Sequence, residues 1–430
     1  MMNPNDPFSS SGERLALLYQ LSQTFNSSLD LNEVLNRVMD EVITAVKAER
    51  GFVMLREAAS ANHEEKLVFK AARGMDQKTI EDPQFQISRS IVERVAHDAQ
   101  PVLSSDAQTD SRFNLRQSVM ILGLRSILCV PLRVKDKVMG VIYVDNRLQA
   151  GIFTQADLQL LNAIASSAAI AIENARLYQV AVEKGRIERE LQMARKVQSG
   201  LLPQTTPQVS GWDFAARWRP AREVGGDYYD FINLDGGKVG TVIADVTDKG
   251  MPAALFMAST RSIIRASVNR AVSPVEGINH ANYLISDESE DTLFVTLFYA
   301  QLAPANGEVV YVNAGHNPAL VYHTGADQLE LLTTTGMPLG VDAGVDYKQR
   351  MLRLDPGDFI LFYTDGVPDA IDLQENEFGM ERLRQVVYAN RLAHADEIIT
   401  NLERAVTEFT GAAVPFDDIT LVVMQREIGF

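Results

Sequence analysis

The chain has almost no cysteine: Cys129 is the single thiol among 430 residues. One thiol can form neither an intramolecular disulfide nor a thiolate metal cage, so a reducing cytosol is the expected compartment. Long apolar runs are missing too. None reaches the roughly 18 residues that a membrane-spanning helix needs, and the N-terminus MMNPNDPFSSSGER lacks the basic-then-apolar order of a secretion signal. Basic charge is short, with 40 Lys and Arg against 56 Asp and Glu for a net charge of −16. That imbalance opposes nonspecific binding to nucleic-acid backbones and to anionic lipid, so nucleic acid is not an expected partner. No internal repeat occurs, and no low-complexity tract lies beyond the first dozen residues.

What remains is an ordinary globular composition, 46% hydrophobic and 22% charged. The length is that of two or three domains, each able to bury a core. Residues 1–14 are rich in Asn, Pro, Ser and Gly and read as a disordered tail. Leu15, Leu18, Leu21 and Phe25 then recur at helical spacing, and a longer amphipathic helix carries Leu31, Val34, Leu35, Val38, Met39, Val42 and Val46 behind an Asp30 cap. Short β-type runs follow at 51–55, 67–71, 102–103, 126–130 and 138–144. The runs 127–132 and 137–145 read as a hairpin turning at Lys135-Asp136, and a helix from Gln155 to about Tyr178 closes this half. The order helix–helix–sheet–helix describes an α+β module over residues 15–178.

From Leu177 the positions Leu177, Val180, Lys184, Ile187, Leu191, Ala194, Gln198 and Leu201 alternate by three and four. This heptad seam predicts a parallel coiled coil between two copies of the chain over the linker 179–204, with Lys184 and Gln198 as polar register-setting interruptions. The alternative is a helix packed on its own domains. Pro203 and Pro207 end it and open a second domain, 205–430. There, β runs at 213–218, 228–233, 239–246, 292–302, 309–313, 319–323, 358–364 and 420–425 outnumber helices near 253–268, 274–285, 380–388 and 395–409. Consecutive antiparallel pairs imply two sheets covered by helices rather than a doubly wound parallel sheet.

Four segments of this second domain share one pattern, an aspartate at a strand end beside glycine or another aspartate. They are Gly225-Gly226-Asp227, Ala244-Asp245-Val246, Thr364-Asp365-Gly366 and Asp417-Asp418-Ile419. One such aspartate is ordinarily a turn or cap residue; four together supply the hard oxygen donors of a Mg²⁺ or Mn²⁺ site, with almost no His or Cys to suggest zinc. Two such ions about 4 Å apart, sharing a carboxylate and a water, suit phosphate-ester hydrolysis.

The ordered runs 220–231 (PAREVGGDYYDF), 244–250 (ADVTDKG), 311–318 (YVNAGHNP), 336–340 (GMPLG), 363–367 (YTDGV) and 417–421 (DDITL) resemble the bacterial PP2C-like (PPM) serine/threonine phosphatases of the sporulation-stage-II/sigma-regulator type. The resemblance implies an αββα sandwich holding two Mn²⁺ or Mg²⁺ ions. Carried over position by position, it implies Asp227, Asp245 and Asp365 as catalytic metal ligands, with Asp245 bridging and the Val246 carbonyl as a backbone ligand. It implies Asp417 as a further ligand of the second ion, with Asp418 as the alternative; adjacent strand side chains face opposite ways, so only one should serve. The sequence departs from the family's frequent Gly-His with Asp248-Lys249, which leaves the general acid unassigned. Arg222 is a candidate donor to the substrate phosphate, or simply a surface arginine. His316 sits in an Asn/Gly-rich loop and reads as structural, and glycines 225 and 226 as either a close backbone approach or a plain turn.

The first half resembles a GAF sensor domain through the runs 25–31 (FNSSLDL), 50–55 (RGFVML), 126–132 (SILCVPL), 139–146 (MGVIYVDN) and 153–161 (FTQADLQLL). These are scaffold residues and name no ligand, and Cys129 within an apolar run reads as an inert thiol. The segment 190–203 (ELQMARKVQSGLLP) resembles the helix that couples sensors to PPM domains. Together the resemblances imply a cytoplasmic, dimeric, GAF-regulated phosphoprotein phosphatase acting on a phosphorylated anti-anti-sigma (STAS-type) regulator. The alternatives are a noncatalytic ligand-sensing scaffold whose phosphatase-like domain binds a partner, and a hydrolase of nucleotides or small phosphoesters.

Overall fold

The computed structural model describes residues 11–58, 65–81, 87–110, 123–288 and 293–429. It divides into two units, Met1–Arg186 and Ile187–Phe430. Residues 1–10 of the expected tail lie outside the described residues, and a helix, α1, begins at Ser11 and runs to Phe25. Asp30 accepts the Glu33 N–H at 2.8 Å and so caps α2 (Leu31–Val46), which ends where Lys47 turns left-handed at φ 52°. The apolar stripe of α2, Val34 through Val46, is buried against one face of a five-stranded antiparallel sheet. Its strands are β1 (Arg50–Ala58), β2 (Glu65–Gly74), β3 (Val102–Ser104), β4 (Ser126–Val134) and β5 (Lys137–Asn146), in the order β2-β1-β5-β4-β3. The hairpin β4–β5 turns at Lys135, φ 54°, and Asp136.

The other face of that sheet carries a helix the sequence reading missed, α3 (Arg89–Asp98). Its Ile91, Val92, Val95 and Ala96 pack with Phe52, Cys129 and Tyr143. Burial pushes the Cys129 thiol up, away from the reactive thiolate. The expected closing helix and the heptad segment are one 47-residue helix, α4 (Gln155–Leu201). Its Leu161, Ile164, Ala168 and Ile172 complete the core beneath the sheet, whereas Leu177, Val180 and Ile187 are exposed.

In the second unit β6 (Trp212–Arg219), β7 (Tyr228–Asn233), β8 (Val239–Val246), β9 (Val295–Ala303), β10 (Glu308–Ala314), β11 (Ala319–His323), β12 (Gln328–Leu332), β13 (Arg350–Arg353), β14 (Phe359–Tyr363) and β15 (Ile419–Arg426) form two antiparallel sheets. Their orders are β13-β10-β9-β8-β7 and β12-β11-β14-β15-β6. Alternation along β15 shows how they stack: Val422 and Met424 join the core between the sheets, while Leu421 and Val423 face α7 (Gly379–Ala389) and α8 (Ala395–Thr410). Helices α5 (Met251–Arg270) and α6 (Pro274–Glu288) cover the opposite sheet through Met257, Ile264 and Ile278. Edge-to-face packing of Phe298 on Phe362, 5.2 Å between centroids, joins the two layers. The result is a helix–sheet–sheet–helix sandwich. Strands β12 and β13 escaped the sequence reading because both are short sheet edges with half their residues facing solvent.

One linker expectation is corrected. Gln198 does not stand in an open seam awaiting a second helix; it is buried within the second unit and bonded at both ends of its amide to Gly225. Two unpaired backbone groups on a buried glycine are a closer match to a side-chain amide than an apolar seam is.

Candidate metal and phosphate site

The four acidic segments come together at one end of the sandwich. Asp227 leads into β7, Asp245 lies at the end of β8, Asp365 follows β14, and Asp417 and Asp418 precede β15. Asp227 is buried, and its Oδ2 accepts the hydroxyls of Thr364 and Thr420, both at 2.7 Å. These two threonines were not singled out from the sequence, although each belongs to an aspartate motif. Burial, the Asp245 charge and the Asp418 charge together hold Asp227 well above the usual carboxylate range. Asp245 is pushed up to about 7 by burial and the Asp365 charge, and shares a hydrogen bond with Asp227. Asp365 is pushed up to about 6 by burial and the Asp417 charge.

The adjacent pair Asp417-Asp418 divides its labour. The Asp418 carboxylate turns into the protein, where Oδ1 accepts the Ala221 N–H at 2.8 Å and Oδ2 accepts the Gly226 N–H at 2.8 Å and the Asp227 N–H at 3.4 Å. Asp417 is partly exposed, raises both Asp365 and Asp245, and takes the Lys249 ammonium at 2.8 Å. Glycine is required where these segments touch. A Cβ on Gly225 would lie 2.2 Å from Asp418 Oδ2, one on Gly226 2.8 Å from the Val246 carbonyl, and one on Gly366 1.9 Å from the Asp418 carbonyl. The close-approach reading of glycines 225 and 226 therefore replaces the plain turn, and the Val246 carbonyl faces this loop.

The residues suit a hard divalent cation. Every donor is oxygen, and among the described residues no Lys, Arg or His pairs with Asp227 or Asp245. Gathered carboxylates of this kind repel one another until a cation or protons intervene. Among the described residues, however, no three acidic, His or Cys side chains already enclose a point where an ion would sit. Lys249 on Asp417 and the backbone amides on Asp418 account for part of that openness.

Arg222 lies exposed on the loop anchored by Asp418 at Ala221. His316 is buried, its Nδ1 on the Thr296 hydroxyl at 2.8 Å, and burial lowers it to about 4, so the ring is neutral at ordinary pH. A further acidic residue, Asp230, is fully buried but paired with Arg261 at 3.2 Å and Arg265 at 3.0 Å from α5. The sequence hides this pair, since its members lie more than 30 positions apart. In the first unit a cleft of about 770 Å³ opens beside β2 and α3, lined by groups such as Met54, Arg56, Phe69 and Arg89. Its mixture of apolar and charged groups names no ligand class.

Comparison with known proteins bears on the same stretches. A family model for Stage II sporulation protein E (SpoIIE) matches residues 235–427, and a GAF domain model matches residues 30–172. The phosphoserine phosphatase RsbU of Bacillus subtilis is 30% identical over 244 residues, which cover 56% of this chain and 71% of RsbU. The chain belongs to the SpoIIE-type PP2C-like phosphatase family. Protein IcfG of Synechocystis is likewise 30% identical over 272 residues, but the chain spans only 43% of its length. The PP2C domain of SiaA from Pseudomonas aeruginosa superposes with a TM-score of 0.52 over 57% of this chain and 99% of that domain, at 18% identity. That likeness shows the shared sandwich. Asp227 and Arg222 lie upstream of the SpoIIE match, so their place in the site rests on the geometry above. No described helix is long and apolar enough to cross a membrane.

Proposed function

We propose that the chain is a Mn²⁺- or Mg²⁺-dependent phosphatase of phosphoserine or phosphothreonine proteins, regulated by its GAF domain. The observation that carries the reading is the convergence of Asp227, Asp245, Asp365 and Asp417 from four segments with, among the described residues, no cationic partner on Asp227 or Asp245. Asp227, Asp245, Asp365 and Asp417, with the Val246 carbonyl, are the groups that would hold the ions, Asp245 lying at the centre of the cluster. Bound there, the cations would supply Lewis-acid charge to the phosphoryl oxygens and to the attacking water. The chain's own contribution is positional. Asp418 and Thr364 fix Asp227 and its loop, and that loop presents Arg222 to solvent, where its guanidinium can take a phosphate oxygen pair.

Similarity to the phosphoserine phosphatase RsbU supports a phosphoserine substrate. A STAS-type anti-anti-sigma regulator is the specific candidate, by the motif resemblance. The exposed apolar positions Leu177, Val180 and Ile187 support a homodimer through α4. One thiol and a net charge of −16 support a cytosolic setting.

The test is p-nitrophenyl phosphate hydrolysis by the full chain with Mn²⁺, Mg²⁺ or EDTA, beside Asp365→Asn. Metal-dependent turnover lost in the variant supports catalysis. The pairing of Lys249 with Asp417 favours a second reading, a phosphatase fold kept only for binding a partner. Absence of both turnover and Mn²⁺ uptake would establish it.

A further inference from the structure

The linker helix ends against the loop that leads into Asp227. Among residues 187–200 of α4, most side chains are exposed, Met193 and Val197 among them, yet Gln198 is 5% exposed. Its Nε2 donates to the Gly225 carbonyl at 2.6 Å and its Oε1 accepts the Gly225 N–H at 3.1 Å. The amide thus occupies both backbone groups of one buried residue, as a neighbouring strand would. Gly225 has little freedom to find other partners, because Asp418 presses on its other side. One residue further on, the same Asp418 carboxylate holds Gly226, and the next residue is Asp227. The helix end is itself seated: Leu202 is buried in the core between the sheets, and the Tyr229 hydroxyl donates to the Pro203 carbonyl at 3.1 Å.

We infer that Gln198 is a positioning residue for the acidic site: its amide sets the path of the Gly225-Gly226-Asp227 backbone and, through Asp227, the cation affinity. The inference rests on the proposed metal-binding reading. Its physical basis is geometric. Successive residues of an α-helix are turned by about 100°, so a one-residue rotation of α4 would carry the amide off Gly225 and leave a buried N–H and C=O unpaired. The loop must then move to regain partners, and Asp227 moves with it. Asp418 has no oxygen to spare for Gly225, since both are committed to Ala221, Gly226 and Asp227.

The experiment uses the full chain with Gln198→Leu, Gln198→Glu and, as a control on the same helix, Val197→Ala. Two readouts are taken: Mn²⁺ affinity by electron paramagnetic resonance of the free ion, and hydrogen–deuterium exchange of residues 221–227 in EDTA. Gln198→Leu is expected to weaken Mn²⁺ binding about tenfold, the low end for a residue that orients a ligand at one remove, and to speed exchange in 221–227. Gln198→Glu keeps the acceptor for the Gly225 N–H and should fall between, which keeps the idea testable if the leucine variant does not fold. Val197→Ala should match the parent. Unchanged exchange and affinity in both Gln198 variants, or an equal loss in Val197→Ala, overturns the inference. If the parent takes up no Mn²⁺, the metal reading fails, while exchange in 221–227 still decides whether Gln198 holds the loop.

Discussion

Asp145 and Asp245 occupy matching places in the two units, each ending a buried apolar strand, in Tyr143-Val144-Asp145-Asn146 and Ile243-Ala244-Asp245-Val246. Their surroundings differ in one respect. Asp145 is gripped by the Arg50 guanidinium, Nη2 to Oδ2 at 2.6 Å and Nε to Oδ1 at 2.9 Å, and burial still pushes it up to about 6. Among the described residues no cation pairs with Asp245, and burial, followed by the Asp365 and Asp417 charges, pushes it up to about 7. The first unit compensates its buried charge from within the chain, which is what a structural ion pair does. The second unit gathers several buried carboxyls with no cation on the central ones among the described residues, so protons or a cation from outside the chain must offset their repulsion.

The sharpest way to break this comparison is to make the same substitution in both places. Asp145→Asn leaves Arg50 buried without its carboxylate and should destabilise the first unit by about 3–5 kcal/mol. Asp245→Asn in EDTA should be neutral or stabilise the second unit by roughly 1 kcal/mol, because it relieves like-charge repulsion. Urea unfolding of both variants reads the signs, and two losses of similar size would end the distinction. Next in size is the effect of the cation. Mn²⁺ at about 100 times its dissociation constant should add about 2.7 kcal/mol to the second unit and nothing to Asp245→Asn. Calorimetry with and without EDTA shows whether the gain is confined to that unit's transition.

A pH scan sharpens the contrast further. A carboxyl raised in the folded state binds its proton more tightly there than in the unfolded chain, so stability is greater at low pH and is lost as pH rises through the folded value. For the metal-free second unit the window runs from about 4 to about 7, set by Asp365 at about 6 and Asp245 at about 7. The change should be several kcal/mol at most, since one pKa unit is about 1.4 kcal/mol and coupled carboxyls share protons. Saturating Mn²⁺ should reverse the slope, because the cation binds the ionised form. The first unit's pH dependence should be unaffected by Mn²⁺.

What the sequence could reveal follows the same division. Strands such as Tyr228–Asn233 and Val239–Val246 were legible because their aromatic and β-branched residues cluster between turn signals, and α2 was legible through its stripe and its Asp30 cap. The clustering of aspartates was readable because four motifs repeat one local pattern. Partnership was not. A buried aspartate looks the same in sequence whether Arg50 or three other acids await it, and Asp230 pairs with Arg261 and Arg265 across more than 30 residues. Alternation could say that Asp417 and Asp418 face apart but not which faces inward; the backbone amides of 221, 226 and 227 settle where Asp418 points. Gln198 satisfied a heptad pattern and a backbone glycine equally well on paper, and only the fold places that glycine against it.

The smallest effect concerns Lys249, the residue that departs from the family's frequent histidine. Its ammonium meets Asp417 at 2.8 Å and the Phe416 carbonyl at 2.8 Å, and lies 4.3 Å from the centre of the Phe416 ring. Both partners of the ion pair are partly exposed, about a third, so solvent screens the pair and its contribution to folding is at most about 1 kcal/mol. Lys249→Met should therefore leave the unfolding transition in EDTA nearly where it was. The charge nonetheless stands on the one acidic residue of the cluster that has a cation, so its removal should tighten Mn²⁺ binding by a few-fold while folding barely changes. Titration of the ion against Lys249→Met checks this. A loss of Mn²⁺ affinity instead would mean that Lys249 helps to hold Asp417 in place, as Arg50 holds Asp145 in the first unit.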